Sequence, residues 1–350
     1  MNKRANSDGN DIGRRTTSTE VARLAGVSQA TVSRVFSANN MVAQETTERV
    51  VRAAQQLGYK PNAIARSLIT RRTDMIGIVM AEITSPFYPY VLEKFTQRLH
   101  TLGKRVLLFT TGPDDDVDSV LPDILRYQVD GLIVANAMLS STIVSECVRL
   151  GTPLLLFNRY VRGAEAGAVS CDNVAGGQMV ADLLLAAGHR RLAYITGKQN
   201  TSTNLDRERG FTDRLREHGY GPPLREPGEY TYQSGYDAAK RLLERAEPPD
   251  AIFCANDITA LGALDAARDG GVKIPDQVSI IGFDDIPAAS WTAYNLTTIR
   301  QPVNSMIDIS VRLLLERIAS PEIEPTITFV PGKLVQRQSA RVALAGGARQ

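Results

Sequence analysis

The chain has 350 residues, with 40 Lys or Arg against 38 Asp or Glu and a formal net charge of +2. Its cysteines, Cys147, Cys171 and Cys254, are three, scattered and not spaced for metal, which argues against a disulfide scaffold and fits a reducing cytoplasm. No run approaches the roughly 18 apolar residues that cross a bilayer, and the N-terminus has no apolar stretch resembling a signal peptide.

The charge is unevenly spread. Residues 1–72 hold 12 basic and 5 acidic residues, a net of +7, and the remainder carries −5. A basic head on a mildly acidic body suits a phosphate-binding module joined to a partner domain. Residues 1–15 are polar and read as a disordered basic leader.

Residues 16–60 read as a small all-α helix-turn-helix domain. Thr17-Ser18-Thr19-Glu20 has capping-box spacing, and Val21, Leu24 and Ala25 supply an apolar face. Gly26 offers the left-handed conformation that ends a helix. Ser28 is a good N-cap for a second helix from Gln29 to about Ser37, with Val32, Val35 and Phe36 turned inward. A third helix is expected from Gln44 to Leu57, closed by Val50, Ala53 and Leu57 and stopped by Gly58. Two helices joined by a short Gly-containing turn present the start of the second to base edges. The exposed candidates there are Gln29, Ala30, Ser33 and Arg34. Gln pairs with adenine, Arg with guanine, and Ala touches only a thymine methyl. Thr17, Ser28, Thr31, Thr46 and Tyr59 are candidates for holding the DNA backbone.

Residues 61–72 read as a hinge. Pro61 suits a first helical turn, and 62–68 contains good helix formers, yet the segment is too short to be stable alone in water.

From 73 to 340, strand-like and helical stretches alternate. Strands are expected at 75–80, 105–111, 131–136, 153–159, 191–197, 251–256 and 278–285, and helices at 91–102, 174–187, 206–218 and 257–269. Near-continuous apolar strands between helices indicate parallel sheets covered on both faces. The length favours an α/β sensor of two doubly wound subdomains, followed by a C-terminal tail at 341–350. Ligands of such sheets bind beyond the carboxyl ends of the strands. Phe87, Tyr88, Asn158, Arg159, Asn256, Asp257 and Asp284 stand at such ends, and Arg207 opens a helix after one. Asp257 is expected to cap the next helix and Asn256 to tighten its turn. Asp172-Asn173 reads as another cap. A carboxylate, a guanidinium fork and aromatic faces favour a hydroxyl-rich ligand, a sugar or sugar acid.

Catalysis finds no support. Asp284 and Asp285 are neighbours on a strand and should face opposite ways. His100, His189 and His218 are isolated, and no P-loop, G-x-S-x-G or G-x-G-x-x-G motif follows a strand. No cofactor or metal is implied.

Several segments, in order, resemble the LacI/GalR (lac repressor) family of bacterial transcriptional regulators. They are GVSQATVSRV at 26–35, LGYKPNAIARSL at 57–68, IGIVMAEITSPF at 76–87, GHRRLAYITG at 188–197, ANDITALGAL at 255–264 and VSIIGFDDIPAASWTAYNLTTIRQP at 278–302. The resemblance runs from about Thr17 to Ser339. It implies a periplasmic-binding-protein-like body with crossovers near 159–162, 286–290 and 320–325. It also implies a hinge helix per subunit, with Asn62 and Arg66 at the DNA and Leu68 wedged into the minor groove. Arg207 and Asp284 match the family's most regular effector contacts, and Thr203, Tyr230, Trp291 and Gln301 fall where the cleft is lined. The pair Gln29-Ala30 departs from that of the family's namesake, so no operator sequence carries over. Ala43 replaces a frequent capping Ser, and no leucine heptads follow Ser339, so a four-chain assembly is not implied.

The expected function is an effector-controlled repressor in the cytoplasm, acting as a homodimer on a pseudo-palindromic double-stranded operator, with no membrane partner. A periplasmic-type solute receptor and a sugar-modifying enzyme are the alternatives.

Overall fold

The computed structural model describes residues 16–36, 42–60, 72–81, 83, 85–111, 123–135 and 141–342. The chain divides into two compact units between Thr73 and Asp74. The leader at 1–15, the hinge residues Pro61, Asn62, Arg66 and Leu68, and positions 343–350 of the tail lie outside the described residues.

In the first unit, α1 (Ser18–Ala25), α2 (Gln29–Val35) and α3 (Gln44–Gln56) enclose Val21, Ala22, Ala25, Val32, Val35, Val50, Ala53 and Ala54. The expected capping box is formed: the Glu20 amide donates to the Thr17 hydroxyl, and the Thr17 amide donates to the Glu20 carboxylate at 2.7 Å. Gly26 ends α1 with φ +66°. Ser28 caps α2 by accepting from the Thr31 amide at 3.1 Å, whereas Ala43 gives α3 no side-chain cap. One expectation fails. Leu24 is 50% exposed, and Ala22 takes the inward place assigned to it. At about 100° per residue the buried arc spans Val21, Ala25 and Ala22, which leaves Leu24 on the flank.

The second unit contains two six-stranded sheets. The first sheet holds β1 (Met75–Ala81), β2 (Arg105–Thr111), β3 (Gly131–Ala135), β4 (Leu154–Phe157), β5 (Gly167–Cys171) and, from far along the chain, β11 (Ile327–Val330). Their order is β11-β5-β4-β3-β1-β2, with every pair parallel. The second sheet holds β6 (Leu192–Ile195), β7 (Leu224–Glu226), β8 (Ala251–Cys254), β9 (Ser279–Asp284), β10 (Thr297–Arg300) and β12 (Lys333–Val335). It repeats the order as β12-β10-β9-β8-β6-β7, with only β12 antiparallel to its neighbour. The first strand in each sheet therefore sits between the second and third, the doubly wound arrangement that opens a crevice at its switch point.

Helices α4 (Phe87–Thr101), α5 (Ser141–Arg149) and α10 (Val303–Ala319) accompany the first sheet. Helices α6 (Asn173–Ala186), α7 (Ser202–Glu217), α8 (Tyr232–Leu243) and α9 (Asp257–Asp269) accompany the second. Two glycine pairs set how closely these helices pack. A Cβ on Gly210 of α7 would fall on the Val174 carbonyl of α6, and one on Gly177 would meet the Arg207 carbonyl. Gly235 and Gly262 let α8 and α9 approach in the same way.

The chain passes between the sheets three times, as the resemblance implied, but at other places. The passes lie at Asp172, between β5 and α6, at Gln301–Pro302, between β10 and α10, and at Pro331–Gly332, between β11 and β12. The segments 159–162, 286–290 and 320–325 stay within one subdomain each. The displacement has one cause: each true pass leaves from β5, β10 or β11, short strands that do not stand out as apolar runs.

Candidate functional site

In the first unit α2 buries Val32 and Val35 and leaves Gln29, Ala30, Ser33 and Arg34 exposed on the opposite side. The Gln29 amide donates to the Ser18 hydroxyl at 3.0 Å, which ties the reading helix to the start of α1. Thr17 is exposed and Thr31 half-buried at the two capped helix starts. Thr46 is half-buried near the start of α3, and Tyr59, just beyond that helix, packs its ring at a tilt against Phe36. Helix starts with free amide groups and hydroxyls are suited to phosphate oxygens.

In the second unit the carboxyl ends of both sheets converge on a cavity of about 40 Å³, room for a few waters. Phe87, Tyr88, Asn158, Arg159, Thr203, Arg207, Tyr230, Asn256 and Asp284 all line it, together with Ser85. Gln301 does not line this cavity but donates its amide to Asp284 Oδ1 at 2.7 Å. Trp291 does not join the group. It follows a short 3₁₀ turn (Pro287–Ser290) and is 59% exposed.

Arg207 is the centre of the arrangement and is 2% exposed. Its Nε donates to Asn173 Oδ1 at 2.8 Å, Nη1 to the Ala255 carbonyl, and Nη2 to Asp284 Oδ1 at 3.5 Å. The guanidinium carbon lies 3.7 Å from the centre of the Phe283 ring. A fork held on three sides and backed by an aromatic face has its geometry fixed before any ligand arrives. Burial raises the Asp284 carboxyl above the ordinary range, and Arg207 and the Gln301 amide pull it back towards the anion. Burial pushes the Tyr88 phenol up to about 12, so it stays a neutral hydroxyl, accepting from the Asn158 amide at 3.2 Å. The Tyr230 hydroxyl lies 3.1 Å from that of Thr201 and 3.0 Å from that of Thr203.

Backbone strain gathers here. Asn158 (φ 68°), Tyr230 (φ 61°) and Asp284 (φ 124°) all adopt conformations that L-residues rarely take, and all three line the cavity. Such positions persist only where the surroundings hold them, and they concentrate at ligand sites. Asp285 follows with φ 58°, so strand alternation no longer governs it. It accepts from Arg300 at 2.5 Å and Arg337 at 2.7 Å, while Asp284 faces Arg207.

Two residues do something the sequence did not reveal. Asn173 holds Arg207 with its carbonyl, while its amide donates to Ser170 Oγ at 3.1 Å and the Cys171 carbonyl at 2.9 Å. Ser170 Oγ in turn lies 3.0 Å from the Asn158 carbonyl as donor. A buried polar relay thus runs from Arg207 in one subdomain, through the first pass, to Asn158 in the other. The cap expected of Asp257 belongs to Asn256, which caps α9 by accepting from Thr259, because its extended backbone aims its side chain at that amide. Asp257 is fully buried and accepts from the Ile286 amide at 2.8 Å and the Thr298 hydroxyl at 2.5 Å. Asp172 does cap α6, accepting from Ala175 at 3.0 Å.

Burial raises the Asp257 carboxyl, and the charge of nearby Asp284 raises it further. Its folded-state pKa therefore exceeds the unfolded value of about 4. Between these values the folded chain keeps a proton that the unfolded chain has lost, so stability falls as pH rises through that window. Asp257→Asn keeps both hydrogen bonds if its amide donates to Thr298. It should show a smaller drop in urea midpoint between pH 5 and pH 8 than the wild-type chain; an unchanged drop would mean that Asp257 does not hold the proton.

Among the described residues no His/Cys/Asp/Glu cluster could hold a metal ion, and no helix is long and apolar enough to cross a membrane.

Comparison with known proteins agrees in both units. Residues 17–62 match the family of bacterial regulatory proteins of the lacI type, and 181–340 match the periplasmic binding protein-like domain. The HTH-type transcriptional regulator AscG of Escherichia coli (strain K12) is 33% identical over 330 residues, covering 93% of this chain and 98% of that protein. The solved complex of the regulator CelR with cellobiose superposes with a TM-score of 0.71 at 32% identity, covering 93% of this chain and all of the other. The lac repressor dimer bound to operator and the anti-inducer ONPF gives a TM-score of 0.84 at 25% identity, over 95% and 100% of the two chains.

Proposed function

Because the chain belongs to the lacI family of bacterial regulatory proteins, and is thus an effector-controlled transcriptional regulator and not an enzyme, we propose that it is a sugar- or sugar-acid-responsive repressor. It works in the cytoplasm as a homodimer. Gln29, Ala30, Ser33 and Arg34 of each subunit read half of a pseudo-palindromic operator, with Thr17, Ser28, Thr31, Thr46 and Tyr59 on the phosphates. Asn62, Arg66 and Leu68 complete the contact through a hinge helix that forms on docking.

The observation that carries the effector reading is the cavity framed by the strand ends of both subdomains, with Arg207 and Asp284 at its centre. A carboxylate that accepts, a fork that donates and aromatic walls match a ring of hydroxyls. Similarity to a regulator solved with cellobiose supports the same class. An occupant touching both subdomains biases their arrangement, and its preference for one arrangement sets the affinity for DNA. The position of Trp291 gives it no part in this site.

Two measurements test the reading. Ligand binding to the folded state raises apparent stability, so a thermal-shift screen of sugars, sugar acids, nucleosides and purine bases should single out a carbohydrate. Operator affinity should fall by about 10³–10⁵ between ~50 and ~200 mM salt if six to ten phosphates are contacted, and a nearly flat response would contradict the DNA-reading role.

A further inference from the structure

The starts of α1 and α2 meet through one side-chain contact. Gln29 Nε2 donates to Ser18 Oγ at 3.0 Å, across the turn that joins the two helices. We propose that Ser18 is a specificity-determining positioning residue: by holding one amide hydrogen of Gln29, it makes Gln29 accept adenine and reject guanine. This rests on the reading of Gln29 as a base contact.

Each partner stands on backbone fixed by its own helix. Ser18 is the first residue of α1 and directly follows Thr17, whose amide and hydroxyl both donate to the Glu20 carboxylate, at 2.7 and 3.0 Å. Gln29 is the first residue of α2 and directly follows the Ser28 cap. Ser28 Oγ accepts from the Thr31 amide at 3.1 Å and lies 2.9 Å from Thr31 Oγ1, so that hydroxyl is engaged within α2. Val21 and Ala25 of α1 share a core with Val32 and Val35 of α2, which fixes the two helix starts against each other. Ser18 is half-buried and Gln29 exposed. Among the described residues the Gln29 side chain makes no other hydrogen bond. A side chain held in this way has less freedom to lose when it docks.

The chemistry follows from the hydrogen count. A glutamine amide carries two N–H donors and one carbonyl acceptor. With one hydrogen on Ser18, the outward set is one N–H beside one C=O. Adenine's major-groove edge has an acceptor at N7 and a donor at N6, the complement of that set. Guanine's edge has two acceptors, N7 and O6, and calls for two donors. Cytosine and thymine each offer one polar group and take a single bond. An unheld amide can turn and give both hydrogens to guanine. Ala30, the next residue along α2, has no polar group with which to restore the distinction. Discrimination between the two purines at this base therefore depends on the Ser18 hydroxyl.

The test uses the full-length protein and a randomised duplex library at about 50 mM salt, where phosphate contacts keep even an unliganded head on DNA. Selection with the wild type and with Gln29→Ala identifies the base pair whose preference depends on Gln29. Duplexes with each of the four bases at that pair are then titrated with the wild type, Ser18→Ala and Ser18→Thr. The wild type should bind adenine about fivefold or more tightly than guanine, and Ser18→Ala about twofold or less. Ser18→Thr keeps the hydroxyl and should keep the wild-type ratio. The slope of log affinity against log salt should be the same in all three, because the phosphates contacted do not change. A wild-type preference for guanine or a pyrimidine overturns the proposal and leaves Gln29 as a base contact. So does an adenine-to-guanine ratio that survives Ser18→Ala, or a loss of affinity shared equally by all four duplexes. If Gln29→Ala changes the preference at no base pair, the base contact itself falls, and the proposal with it.

Discussion

Arg207→Ala is expected to destabilise the second unit by about 3–5 kcal/mol and to abolish the effector's influence on operator binding. The size follows from what the guanidinium leaves behind. Asp284 would keep its burial and lose its cation, and Asn173 Oδ1 and the Ala255 carbonyl would each lose a donor. The Phe283 face that the guanidinium covers would line a void. With its cation gone, Asp284 should take up a proton and no longer accept from hydroxyls as an anion. Urea denaturation gives the stability, and operator titration with and without the ligand found by screening gives the coupling. Arg207→Lys restores a charge without the fork, so it should recover part of the stability and little of the coupling. A wild-type denaturation midpoint in Arg207→Ala would show that the fork does not organise the cleft.

The second large effect is expected from a methyl group. Gly210→Ala should cost about 3 kcal/mol or more, since its Cβ would meet backbone, the carbonyl of Val174, and the two helices can relieve the clash only by separating. Separation of α6 from α7 also pulls Asn173 from Arg207, so effector affinity should fall along with stability. Gly188→Ala is the control. Gly188 has φ +80° and open space around its Cβ position, so the change costs only the left-handed conformation, about 1 kcal/mol. Equal losses in the two variants would remove the argument that close helix approach sets the cleft.

The sequence revealed most where the signal is local. A capping box at Thr17, an N-cap at Ser28 and a left-handed glycine at 26 are short-range features, and they located the reading helix to within two residues. Leu24 departs from its expected inward place because three apolar residues in a short helix do not fix the direction of its buried face. Central strands such as β3, β4 and β8 are buried along their whole length and read as unbroken apolar runs. The edge strands β7, β11 and β12 are three or four residues long and half-exposed, so they carry no such signature. Phe87, Tyr88, Asn158, Arg159, Arg207, Asn256 and Asp284 follow from position, because ligand sites lie beyond strand ends, whereas Thr203 and Tyr230 follow only from the family resemblance and Ser85 from neither. The role of Asn173 beyond a cap is not legible, because nothing near it in sequence discloses an arginine 34 positions away.

The placement of β11 has a consequence for biosynthesis. The first sheet is begun at Met75 and completed by residues 327–330, with α10 covering it only after residue 303 has been made. Until then the nascent chain shows the ribosome's surroundings an unpaired β5 edge and the apolar strands that α10 later covers, the kind of surface on which chains aggregate or recruit chaperones. Products that terminate before residue 327 should therefore be degraded or insoluble, even when they contain the whole of the second sheet's β6–β10 core.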